Sequence, residues 1–382
     1  MNYDFDTVIS RENTGSMKWE AYGGRDVLPF WVADMDFAIA PEITAALKAR
    51  MEHPIFGYTV ASDELFDALT QHLVTEFDWR IEREWVVWVP GVVSALSACC
   101  RAYLKPGDHT MIHPPIYHHF FTVHDQQTQT LIEVPLVKRD DRWTYDLAAI
   151  EQAITAETRM MMLCTPHNPT CTVFEVEELR AVCALAEQHD IIVVSDEIHN
   201  ELILNQSVRH VPTVKAVPDY QHKIVTLMSQ SKTYNLAGMN CAYAIIPDPV
   251  LRKQYSDACF EVMPGVTTLA YESARAAFES GGPWRAALLD YLRDNYTLVA
   301  DTLNAVPGLS VERCDATYLA WIDATGLGLN DAAAFFEERG VGLSGGEQFG
   351  QSGFVRLNFA CPRAMLQTGL DRMVEAVSRL NT

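Results

Sequence analysis

The middle of this chain alternates short apolar runs with turns and helical patterns, and this constrains its fold more than any other feature. The runs are Trp85–Val89, His109–His113, Leu131–Val137, Arg159–Thr165, Ile191–Ser195 and Ile224–Met228. Between them, Val92–Tyr103 and Glu177–His189 read as helices. In the second, Leu179, Val182, Cys183 and Ala186 fall on one face. Such alternation builds a mainly parallel sheet covered by crossover helices. After Pro247 the pattern is chiefly helical to about Ala305. Tyr318–Asp323 and Phe354–Phe359 read as later strands, with a helix at Ala332–Arg339 between them. The expected class is α/β. A large, mainly parallel sheet domain would span residues near 50–285, and both chain ends, 1–49 and 286–382, would make a smaller α+β domain.

The 382 residues are enough for two such cores. A net charge of -21 repels nucleic acid and anionic membrane surfaces, so neither is expected as a partner. The nine cysteines contain no Cys-x-x-Cys pair, which argues against a zinc ribbon and fits a reduced, cytoplasmic setting. The opening Met-Asn-Tyr-Asp-Phe-Asp lacks the basic and apolar regions of a signal peptide. The most apolar stretch, Trp85–Cys100, is broken by Pro90, Gly91 and two serines, and so does not read as a membrane span.

Open parallel sheets bind ligands beyond the carboxyl ends of their strands. Tyr117, Asn168, Asp196 and Lys232 each lie at or near such an end. Any one alone is an ordinary loop residue. Together, in this order, they match what pyridoxal-phosphate (PLP) chemistry needs. That chemistry uses a lysine whose amine is partly neutral. It uses an acid that keeps the pyridine nitrogen protonated, and an aromatic ring to stack on the cofactor. Backbone N–H groups at a helix start hold the phosphate. Pro90-Gly91-Val92-Val93-Ser94 offers that last item, although Pro-Gly before a helix is common.

Further motifs run along the chain: Leu28–Phe37, with Trp31-Val32-Ala33-Asp34-Met35-Asp36-Phe37 within it, Phe56-Gly57-Tyr58, Asn168-Pro169-Thr170, Ser195-Asp196-Glu197-Ile198-His199, Ser229-Gln230-Ser231-Lys232, Thr317–Trp321 and Gly353–Asn358. Through these the chain resembles fold-type I PLP enzymes, the aspartate aminotransferase superfamily, and more narrowly the MalY/PatB branch of cystathionine β-lyases and other C–S lyases. The resemblance implies that Lys232 binds PLP and shuttles the substrate proton. Asp196 would pair with the ring nitrogen, Tyr117 would stack on the ring, and Asn168 would bond its phenolic oxygen. The Val92 and Val93 amides, with Ser229 and Ser231, would hold the phosphate. Tyr58 would reach the phosphate of a neighbouring subunit, which makes a homodimer the active unit. Arg356 would grip the substrate carboxylate, and the backbone near Ala33 would close over the substrate.

Several positions depart from common patterns. Asn240 stands where many aminotransferases of this fold carry a phosphate-binding arginine. Cys171 replaces a usual glycine, at a cost if that position needs a positive φ. His118 follows Tyr117 and is expected to line the pocket; Tyr22 and Trp31 stand near the segments expected to cap the substrate. His113, His118, His119 and His124 lack the spacing of a metal site, and His199 reads as a hydrogen-bonding residue near the cofactor. The expected reaction is α,β-elimination from cystathionine or a related cysteine thioether. The alternatives are an aminotransferase, which shares every step before thiolate loss, and a non-catalytic regulator on the same fold.

Overall fold

The computed structural model describes residues 3–125, 128–260 and 262–380. Seven strands form one sheet: β1 (Val86–Val89), β2 (His109–Ile112), β3 (Thr130–Glu133), β4 (Thr158–Cys164), β5 (Ile192–Asp196), β6 (Ile224–Met228) and β7 (Ala242–Ile245). Their order is β1-β7-β6-β5-β4-β2-β3. The pairs among β2 to β6 are parallel. β7 runs antiparallel between β1 and β6.

Both faces of this sheet are covered, which is why its strands read as continuous apolar runs. Met160, Met161, Met162 and Leu163 of β4 are all buried. Met161 and Leu163 share a core with Leu179, Val182, Cys183 and Ala186 of helix Val176–Gln188. Met160 and Met162 share the opposite core with Val92, Ala95, Leu96 and Cys99 of helix Val92–Tyr103. Each Met, Leu and Val among these side chains contributes about 1.5–3 kcal/mol when removed from water.

A second sheet is wholly antiparallel: β8 (Ser310–Val311), β9 (Leu319–Asp323), β10 (Ser344–Gly345) and β11 (Phe354–Asn358), ordered β8-β9-β11-β10. A third core joins it to helices Gly282–Asn304 and Arg363–Leu380 and to Phe30, Met35 and Phe37 from the start of the chain. Leu28–Pro29 pairs in parallel with Val341–Gly342 and draws the early segment to this sheet. No helix among the described residues is long and apolar enough to cross a membrane.

The strand expectations agree with the structure to within one residue at each end, with one exception. Leu131–Val137 is not a single strand. It divides into β3 and the first arm of a hairpin, Val137–Arg139 with Arg142–Thr144. Pro135 stands at the break, where it has no N–H for a ladder. β7 is an addition to the expected series. Its register pairs Ala242 with Val89 and Tyr243 with Met228. Asn240 and Cys241 therefore meet the sheet edge at which β1 and β6 end.

Candidate active site

A cavity of about 620 Å³ opens beyond the carboxyl ends of β4, β5 and β6. Lys232 enters it from the turn after β6, and its Nζ donates to the Ala33 carbonyl at 2.6 Å. Burial pushes this amine down to about 8; Asp34 and Asp196 oppose that shift, and Arg356 adds to it. Asp196 is the last residue of β5. Burial pushes its carboxyl up to about 7, against one hydrogen bond from the Ile198 N–H at 3.1 Å. It forms no ion pair among the described residues. His199 lines the same wall, and its buried Nδ1 has no partner. Burial holds its imidazole neutral, down at about 3.

Arg356 comes from β11 and is 4% exposed. Its Nη1 donates to Asn168 Oδ1 at 2.9 Å and its Nη2 to the Trp31 carbonyl at 2.8 Å. Its Nε has no partner, and no carboxylate pairs with it among the described residues. Burial lowers even this guanidinium to about 10. The Phe349 ring lies 4.7 Å from its Cζ. Tyr117 lines the cavity beside His118 and His119, with ring centroids at 4.5 Å and 5.1 Å. Burial, with His119 and Arg356 adding, pushes the His118 imidazole down to about 4, so it is neutral near pH 7.

The opposite end of the cavity is built from neutral donors. Helix Val92–Tyr103 starts there with no side-chain cap, so the Val92 and Val93 N–H groups face the cavity end without a capping oxygen. Ser229 Oγ lies 2.8 Å from Ser231 Oγ and accepts from the Ser231 N–H at 3.0 Å. Asn240 joins this end in a left-handed conformation, φ 54°. Cys171 also has a positive φ, 60°, so the position that departs from glycine is one where glycine costs least.

Tyr22 and Tyr58 lie elsewhere. The Tyr22 ring packs against Gly342, where an added Cβ would fall 2.5 Å from its Cζ, and it is not in the cavity wall. Tyr58 is fully exposed in a segment without helix or strand, beside exposed Ile55, Phe56 and Val60. The other site candidates line the cavity. Ser344, Gln348, His119 and Cys164 also line it, although no motif singled them out as binding residues. Among the described residues, no group of three His, Cys, Asp or Glu side chains is placed to hold a metal ion.

The chain belongs to the family Aminotransferase class I and II, which matches residues 25–373. It is 34% identical over 387 residues to cystathionine beta-lyase PatB of Bacillus subtilis (strain 168), covering 98% of this chain and 100% of that protein. It superposes on the crystal structure of OvoB with a TM-score of 0.96 at 40% identity, over 98% of this chain and 99% of that one. It superposes on the PLP-bound C-S lyase from Staphylococcus hominis with a TM-score of 0.93 at 31% identity, over 99% and 98%. The fold is that of the fold-type I PLP-dependent enzymes, as the motifs led us to expect.

Proposed function

We propose that this chain is a PLP-dependent C–S β-lyase that converts a cysteine thioether and water to a thiol, pyruvate and ammonia. One observation carries the reading: a buried carboxylate without a cation, a buried guanidinium without an anion and a buried lysine amine line one cavity, in a chain similar along its whole length to a cystathionine β-lyase.

These groups fit PLP. Asp196 lacks the cationic N–H that would lower the cost of its burial, and a protonated ring nitrogen is such a partner. The orphaned His199 Nδ1 and the uncapped helix start are further polar groups in want of a ligand. When bound, PLP supplies a carbonyl carbon that an amine can attack and a ring that delocalises the electrons left by loss of the α-proton. In this reading Asp196 holds the proton on the ring nitrogen. Tyr117 would cover the cofactor ring, and Asn168 would bond its phenolic oxygen. Val92, Val93, Ser229 and Ser231 would hold its phosphate. Arg356 fixes the substrate carboxylate through its planar fork. Lys232 Nζ takes the α-proton as general base, and the thiolate leaves from the β-carbon. His118 lines the cavity beside Tyr117.

The test supplies cystathionine without any keto acid and follows pyruvate, ammonia and free thiol. Stoichiometric release of all three is expected. Turnover only with an added keto acid would make the chain an aminotransferase. Lys232→Ala is expected to abolish both turnover and the yellow absorbance of lysine-bound cofactor.

The same reading makes the active unit a homodimer in which Tyr58 reaches the phosphate of the neighbouring subunit; the exposed apolar surface around it supports this. It divides the chain into a cofactor-binding body near residues 50–285 and a second body from 1–49 and 286–382, which the separate seven-stranded and four-stranded sheets support. Nine free, buried thiols support a reducing, cytoplasmic setting.

A further inference from the structure

Residues 30–37 cross the cavity without helix or strand, so their carbonyls need partners other than a ladder. Neighbouring groups supply them. The Phe30 carbonyl accepts from the Asn358 N–H at 2.8 Å, and Trp31 from Arg356 and Ser344. Val32 and Asp34 both accept from Asn358 Nδ2 at 2.6 Å. Met35 and Phe37 accept from Asn235 Nδ2. Lys18, fully buried, pairs with Asp36 at 2.6 Å and ties down the far end. The strap is thus fixed along its length.

The Ala33 carbonyl sits at its centre and takes two donors of its own, Lys232 Nζ at 2.6 Å and the Tyr318 hydroxyl at 3.0 Å. Burial raises the Tyr318 phenol far above its ordinary value, so it remains a donor at every working pH. A carbonyl that accepts from a hydroxyl has less electron density left for an ammonium. Hydrogen bonding to the charged form is what keeps an amine charged.

We propose that Tyr318 is a positioning residue for Lys232: through the Ala33 carbonyl it fixes where the amine rests and limits how firmly that carbonyl retains an ammonium proton. The inference rests on the lyase reading, in which the amine must be neutral and turned toward the substrate. The charged and titratable groups facing the amine are Asp34 on the strap, Asp196 and His199 at the end of β5, and Arg356 on β11. Asp34 and Asp196 favour the ammonium, Arg356 disfavours it, and His199 is neutral. Tyr318 acts on the same proton without carrying a charge.

The test uses the full-length chain, freed of bound cofactor and shown by its melting transition to be folded. Lys232 is modified by an amine-directed reagent across a pH series, and its peptide is followed by mass spectrometry. The unsubstituted protein is expected to show a midpoint at about 8. Tyr318→Phe removes the competing donor and is expected to raise the midpoint by about half a pH unit. 3-Fluorotyrosine at position 318, a stronger donor of nearly the same shape, is expected to lower it, and it preserves the packing if Tyr318→Phe does not fold. Shifts of the expected sign support the assignment. A midpoint that stays in place, or moves the other way in either protein, overturns it. The readout involves neither cofactor nor substrate, so its outcome is independent of whether the chain cleaves C–S bonds.

Discussion

Arg356 and Asp196 are each a buried charge with no opposite charge at ion-pair distance among the described residues, and folding alone does not favour either. Arg356→Leu is therefore expected to separate activity from stability. KM for a cysteine thioether should rise about 100-fold, the loss of about 3 kcal/mol of charged recognition. The melting temperature should change little, because the desolvation cost that leucine avoids offsets the hydrogen bonds lost to Asn168 and to the Trp31 carbonyl; steady-state kinetics beside calorimetry checks both. Asp196 was legible in the sequence because it lies at a strand end, and Arg356, in the middle of β11, was legible only through the resemblance of Gly353–Asn358 to a known family. Tyr22 shows the limit of that reasoning. Chain proximity placed it near the cap, but the absence of a side chain at Gly342 opened a slot that its ring fills instead. No local pattern reports a slot made by a glycine more than three hundred residues away.

At the scale of elements, the turn after β5 is bound to two helices through Glu201. Its carboxylate lies 2.8 Å from His72 Nε2 on helix Asp63–Phe77, and Arg285 on helix Gly282–Asn304 donates to it as well. Burial raises this carboxyl, and His72 and Arg285 pull it down further, to about 2. A carboxyl lowered by folding stabilises the native state fully above its ordinary value of 4.5, and that contribution is lost as pH falls toward 2. Glu201→Gln is expected to cost about 3–5 kcal/mol at pH 7. The gap between the variant and the parent should narrow steadily below pH 4.5, which denaturant unfolding at several pH values measures. Elements with strong apolar runs were legible in the sequence because a sheet covered on both faces leaves few polar positions. β7 was not. Two of its four residues, Ala242 and Ala244, have little strand preference, and its reversed direction is set by pairing with β1 and β6, which lie far away along the chain.

For the whole molecule, the fully exposed Tyr58 and its apolar neighbours are surface that a monomer has no reason to display. In the dimer reading, light scattering is expected to give twice 42.8 kDa. Tyr58→Phe is expected to leave that mass unchanged while weakening cofactor retention about tenfold, the share of one hydrogen bond to a charged group. Titration of the cofactor-free protein with PLP reads this directly. The composition could exclude partners of like charge but could not show this face, because whether Ile55, Phe56 and Val60 are buried depends on packing beyond their own segment. The strap has a further consequence, for synthesis. Residues 30–37 leave the ribosome early, yet Asn358, Arg356, Ser344 and Tyr318, which hold them, emerge among the last. Lys232 and Asp196 are thus made while the strap still has nothing on β9, β10 or β11 to rest against. In the lyase reading, until those strands are added the growing protein has a place for a cofactor but lacks the Arg356 that would grip an amino acid.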